Sequence, residues 1–215
     1  MVVKRLILVW TMDFGLLSYG VNFLAHLYLS GDDPNIMVGN FMGDFVKGRS
    51  ALEQFDPTIV RGIELHRAID EFTDSHAVVT ESKNRLRPKY RHYSGVIVDV
   101  FYDHFLARNW DQYHEELLPD FADRAYGIIQ SFNSILPSDV KYMMPYMVRG
   151  NWLVSYANTS GIHRALSGMA RRTPYESKMD EATADLVKSY DLFKAEFDNF
   201  FPQLNSFSKE FLSSS

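Results

Sequence analysis

Cysteine is absent from all 215 residues. That excludes disulfides, thiolate metal sites and cysteine nucleophiles, so any metal must be held by histidine and carboxylate groups. An excess of positive charge is missing too: 27 acids against 22 Lys plus Arg give a net charge of -5, without the basic field that nucleic-acid binders use. Long apolar runs are also lacking. The stretch Leu6 to Trp10 is short and Asp13 follows it, which makes a poor export signal and no membrane span, so the cytoplasm is the expected compartment. Hairpin signals, a glycine-rich phosphate loop and internal repeats are not found, and only residues 2–10 read as a possible strand.

What is present is the punctuation of helices. Asp33-Pro34 and Asp56-Pro57 each set an acidic cap before a proline in the first turn, and Thr173-Pro174-Tyr175-Glu176 has the pattern of a capping box. Helices are therefore expected to begin near 34, 57 and 174, with others over 22–29, 76–87, 94–108, 120–135, 139–157 and 161–171. With 46% hydrophobic residues, the chain is long enough to bury one sizeable core. The fold class expected is all-α, a single-domain helical bundle.

Polar residues at helical spacing carry the chemistry. His66 and Asp70 stand at i, i+4 in ELHRAIDEFTD, with Asp74 one turn later. That spacing suits a shared metal ion, but a solvated helix face with a His–Asp hydrogen bond has the same pattern. Asp44 lies among Phe41, Met42, Phe45 and Val46, where a buried carboxylate must be paired, protonated or metal-bound. Asp99 and Asp103 repeat the i, i+4 spacing in VIVDVFYDHF, beside His104, and His26 sits on the apolar stretch NFLAHLYL. The run Lys83, Arg85, Arg87, Lys89, Arg91, His92 contains no acid and reads either as a solvated face or as a seat for an acidic partner.

Five segments, NFLAHLYLS at 22–30, GNFMGDFVKG at 39–48, GIELHRAIDEFTDSH at 62–76, VDVFYDHFLARNW at 98–110, and NWLVSYA with GMARR at 151–172, together resemble the acyl carrier protein phosphodiesterase family. The resemblance runs in order over nearly the whole chain from about residue 21. It implies a metal-dependent phosphodiesterase, usually associated with manganese, that hydrolyses holo-acyl carrier protein to the apo form and 4′-phosphopantetheine. It also implies a distant kinship with the helical HD phosphohydrolases, whose site uses a His, an adjacent His-Asp pair and a later Asp. Here His66 is followed by Arg67, and the one adjacent pair, Asp103-His104, runs in reverse order.

On that resemblance the expected ligand set for a divalent cation is His26, Asp44, His66, Asp70 and Asp103. His104 is the expected general acid toward the leaving serine oxygen, and Arg67 or Lys47 would hold the non-bridging oxygens. Arg85, Arg87, Lys89 and Arg91, with Arg171 and Arg172, would meet the acidic carrier protein. An HD-type nucleotide phosphohydrolase and a non-catalytic helical protein binding an acidic partner are the alternatives. Family members commonly begin Met-Asn-Phe-Leu-Ala-His and Val21 stands in the place of that methionine, so residues 1–20 read as an extension or a misassigned start, and 21–215 as the domain.

Overall fold

The computed structural model describes residues 22–214, so the expectations for residues 1–20 fall outside the described residues. Every regular element among the described residues is helical. The bundle is organised around α5 (Ser94–Arg108), whose Ile97, Val98, Val100, Phe101, Phe105 and Leu106 are all buried. A helix apolar on nearly every side is stable only when other helices surround it. Around α5 lie α1 (Phe23–Leu29), α4 (Ala77–Tyr90), α9 (Thr159–Ala170) and α11 (Tyr190–Ser213). Phe193, Phe197, Phe200 and Phe201 of α11 supply a large share of the aromatic core. No described helix is long and apolar enough to cross a membrane.

The site rests on α2 (Pro34–Phe41) and α3 (Pro57–Ser75), which begin where their caps require. Asp33 accepts from the N–H groups of Asn35 and Ile36, and Asp56 from that of Thr58, satisfying donors that a helix start leaves orphaned. The two helices cross at Gly39 and Gly62. A Cβ on Gly39 would lie 2.1 Å from the Ile59 carbonyl oxygen, and one on Gly62 would lie 2.3 Å from that of Ile36. Only two glycines let the backbones approach this closely.

Several boundaries differ from expectation. No helix starts near 174: the Thr173 hydroxyl donates to the carbonyls of Ala170 and Tyr175 and so does not cap a helix, and the next α-helix is α10 (Ala182–Lys188), led in by a 3-10 turn at Met179–Glu181. The stretch 139–157 is broken into α7 (Ser138–Arg149) and α8 (Trp152–Ser155) by Asn151, whose φ of 39° is left-handed. α6 (Leu118–Ser131) ends earlier than expected, and α4 runs on through Pro88 until Arg91 turns left-handed at φ 53°.

Candidate metal centre

Three helices and one turn converge on a small polar cluster. α1 contributes His26, α2 contributes Asn40, a 3-10 turn at Gly43–Phe45 contributes Asp44, and α3 contributes His66 and Asp70. The two imidazoles stack with ring centroids 4.1 Å apart. Asp70 lies 3.3 Å from Nε2 of each histidine through separate oxygens, and Asp44 lies 3.2 Å from Nε2 of His66. Gly43 makes room for this arrangement, since a Cβ there would fall 2.3 Å from Cγ of His66.

Asn40, fully buried, settles which nitrogens face the cluster. Its Nδ2 donates to the His26 carbonyl at 2.8 Å and to the Ser30 hydroxyl, so its Oδ1 must be the atom 2.7 Å from His26 Nδ1. An amide oxygen accepts only, so Nδ1 carries the hydrogen. His66 Nδ1 is held likewise by the Asn40 backbone carbonyl at 2.8 Å. Both Nε2 atoms therefore face the carboxylates, and both are buried without a hydrogen-bond partner of good geometry. Two orphaned imidazole nitrogens beside a carboxylate fit a divalent cation of hard or borderline character. His26, His66 and Asp70 bring one ligand atom each to within 4.8 Å of one another.

Replacing Asn40 by Ala removes the acceptor that orients His26 and leaves the backbone acceptor of His66 in place. Outer hydrogen bonds of this kind are worth about 10–100-fold in metal affinity. Titration of Asn40→Ala with manganese against a chelating indicator should show a loss of that order; an unchanged affinity would mean that the Asn40 side chain does not set the ring.

The electrostatics couple the cluster to pH. Burial lowers the His66 pKa, but the contacts and charges of Asp44 and Asp70 outweigh it and raise it to about 9 from 6.5. For Asp70, burial is outweighed by His26 and His66, which hold its carboxyl well below the usual range. In the metal-free protein His66 thus adds stability that is complete below pH 6.5 and lost as pH rises through about 9. Asp70 adds stability above its unfolded value, lost only in strong acid. A cation must displace the His66 proton, so its affinity should rise by up to about tenfold per pH unit toward pH 9. Melting in EDTA at pH 6.5 and 9, and manganese affinity at the same two values, should therefore move in opposite directions; both falling together would contradict the assignment.

The remaining expected residues are placed elsewhere. Asp103 is fully buried, as its apolar setting implied, but its oxygens accept the backbone N–H groups of Leu24 and Ala25 at 3.0 and 2.9 Å. It caps the start of α1, which has no side-chain cap of its own, so it supports His26 and does not join the cluster. His104 is also buried, with Nδ1 donating to the Tyr156 carbonyl and Nε2 facing the Tyr190 hydroxyl at 3.0 Å. Burial lowers its pKa, and both partners of the ring, expected as the general acid, lie outside the His–Asp cluster. Arg67 donates to the Val46 carbonyl at 3.0 Å, tying the segment after Asp44 to α3, and Lys47 follows on that segment.

Sequence reasoning noted Asp99 beside Asp103 but left it out of the expected ligand set. Its carboxyl is pushed up to about 7 by burial, with Lys83 opposing and Asp70, Asp74 and Asp44 adding. Asp99 and Asp103 share a stripe of α5 one turn apart, and it is Asp99 that feels the charges of Asp70 and Asp44. Lys83, paired with Asp74 at 2.6 Å, supplies the nearby cation.

The basic run is largely engaged within the chain. Arg85 grips Glu196 through two bonds and lies over the Phe193 ring, and Lys89 pairs with Glu181 and Asp185. Arg87 bonds Asn84, and Arg91 is exposed at the turn after α4. Arg171 and Arg172 are exposed beyond the end of α9.

Residues 21–204 match the profile of the family described as acyl carrier protein phosphodiesterase. Among curated relatives, the acyl carrier protein phosphodiesterase of Photorhabdus laumondii subsp. laumondii is 34% identical over 185 residues, covering 86% of this chain and 93% of the relative. Proteins of the same name from Serratia proteamaculans and Enterobacter sp. are 32% and 34% identical, over 88% and 86% of this chain and 98% and 95% of theirs. No solved structure matches significantly.

Proposed function

The chain belongs to the acyl carrier protein phosphodiesterase family, and from that membership and the His–Asp cluster we propose that it hydrolyses holo-acyl carrier protein in the cytoplasm, releasing 4′-phosphopantetheine and the apo protein. The observation that carries the catalytic part is the pair of buried Nε2 atoms facing Asp70, which has no structural purpose without a proton or a cation between them. His26, His66 and Asp70, with Asp44 beside His66, would hold a divalent cation, for which manganese is the first choice. Bound there, the cation would supply Lewis-acid stabilisation of charge on the phosphoryl oxygens. Arg67 uses one Nη2 on Val46 and has further N–H donors for a non-bridging oxygen, with Lys47 as a second cation on the same segment.

Purified protein incubated with holo-acyl carrier protein and manganese should release the phosphopantetheine arm, seen by mass spectrometry as apo protein. An intact arm after prolonged incubation with each of manganese, magnesium and iron would refute the reading.

For partner recognition the reading favours those cations of the basic run that are not held in internal ion pairs. Arg87 and Arg91, with Arg171 and Arg172, are the cations best placed to steer an acidic carrier protein. Reversing Arg87 and Arg91 to Glu should slow hydrolysis at low salt by roughly tenfold through association, and the loss should shrink as salt screens it. Reversal of Arg85 and Lys89 breaks internal ion pairs instead and should lower Tm. A salt-insensitive loss in the first variant would count against steering.

A further inference from the structure

Beside the cluster a cleft of about 620 Å³ opens between two connecting segments. One wall carries Phe45, Val46 and Phe55 from the stretch between α2 and α3; the other carries Ile135 and Leu136 from the link between α6 and α7. The volume falls in the range of about 300–1,000 Å³ usual for small-ligand sites. We propose that this cleft seats the pantetheine arm of the substrate, an inference that rests on the carrier-protein reading.

Continuity with the metal centre is the first ground. Phe45 and Val46 directly follow Asp44, whose carboxylate stands 3.2 Å from His66 Nε2, so the wall begins one residue from the cluster. Arg67 fastens the Val46 carbonyl to α3, the helix that carries His66 and Asp70. The cleft is thus built on the segment that directly follows Asp44 and is held to the helix of His66 and Asp70, next to where a phosphoryl group at the cluster would be esterified.

The second ground is the match of chemistry. Pantetheine is an uncharged thread in which amides alternate with methylene and dimethyl groups. The apolar walls suit the carbon segments, and Gln54 and Ser134 offer an amide and a hydroxyl to the polar ones. Among the lining residues Lys47 is the one cation, three residues beyond Asp44, which suits an arm charged only at its phosphate. A nucleotide would bring several charges to this single ammonium.

The test separates the cleft from the reaction. Free pantetheine, which has no phosphate, is added to the full-length ¹⁵N-labelled protein; amide shifts are expected over 45–55 and 134–137. Ser134 is exposed at the rim, so Ser134→Trp should fold and narrow the cleft, with Ala51→Phe as a second obstruction on the opposite wall. Each should weaken pantetheine binding and raise KM for holo-acyl carrier protein by about tenfold or more, with kcat changed less than about threefold. Shifts confined to another face, or an unchanged KM in both variants, overturn the cleft and leave the phosphodiesterase reading standing. Failure of the wild-type protein to release any phosphopantetheine sinks that reading, and the arm site with it.

Discussion

Asp70→Ala should lose at least about 10³-fold in turnover of carrier protein while the protein stays folded. Asp70 is the one carboxylate that touches both histidines, each through its own oxygen. Without it the two Nε2 atoms keep their positions, because Asn40 fixes the rings from the opposite side, but the carboxylate they share is gone and only Asp44, beside His66, remains. The side chain of Asp70 is 46% exposed, so its removal leaves no buried cavity and Tm should move by only a few degrees. The His66 pKa should fall as well, which NMR of the imidazole would show directly. Near-wild-type turnover in saturating manganese would dismiss Asp70 as a ligand, and a collapsed melting transition would recast the residue as structural.

Gly62→Ala is expected to be strongly destabilising for a change of one methyl group. The added Cβ meets the Ile36 carbonyl oxygen at 2.3 Å and the Gly39 Cα at 2.9 Å, and both are backbone atoms that cannot rotate aside. α2 and α3 must separate, at a cost of about 3 kcal/mol or more, which corresponds to roughly 6–12 °C in Tm for a chain of this size. Asn40 adjoins the crossing, so manganese affinity should fall together with stability. Gly127→Ala is the control: it lies within α6, a Cβ there meets nothing within 4 Å, and a gain of about 0.5–1 kcal/mol is expected. Equal melting temperatures for Gly62→Ala and the wild type would show that the helices part without penalty.

Much of this architecture is legible in the sequence because it depends on local rules. Asp33 and Asp56 cap their helices as the Asp-Pro pairs imply, and His66 and Asp70 meet because four residues make about one helical turn. Asp44 and His26 are legible by contrast, as polar residues in apolar runs. The same logic correctly buries Asp103 and His104 and then misjudges their partners. A buried carboxylate needs donors, and the backbone N–H groups of α1 serve as well as a cation. Which of two acids one turn apart on α5 feels the charges of the cluster depends on how that helix is seated, a tertiary fact no spacing encodes. Asn40 escapes notice for another reason: it is neutral, and its importance lies in two hydrogen bonds to rings from other helices. Thr173 misleads because its hydroxyl finds carbonyls first.

The capping of α1 by Asp103 also bears on how the protein is made. At seven residues, α1 is well short of the roughly 12–15 that an isolated helix needs to persist in water. Its first turn is tied down by a carboxylate 78 and 79 residues further along the chain. On the ribosome, His26 emerges early yet has no fixed position until α5 has been synthesised and has docked. His66 and Asp70, already together on α3, must wait for it. The nascent chain therefore lacks the assembled His–Asp cluster through nearly half of its synthesis.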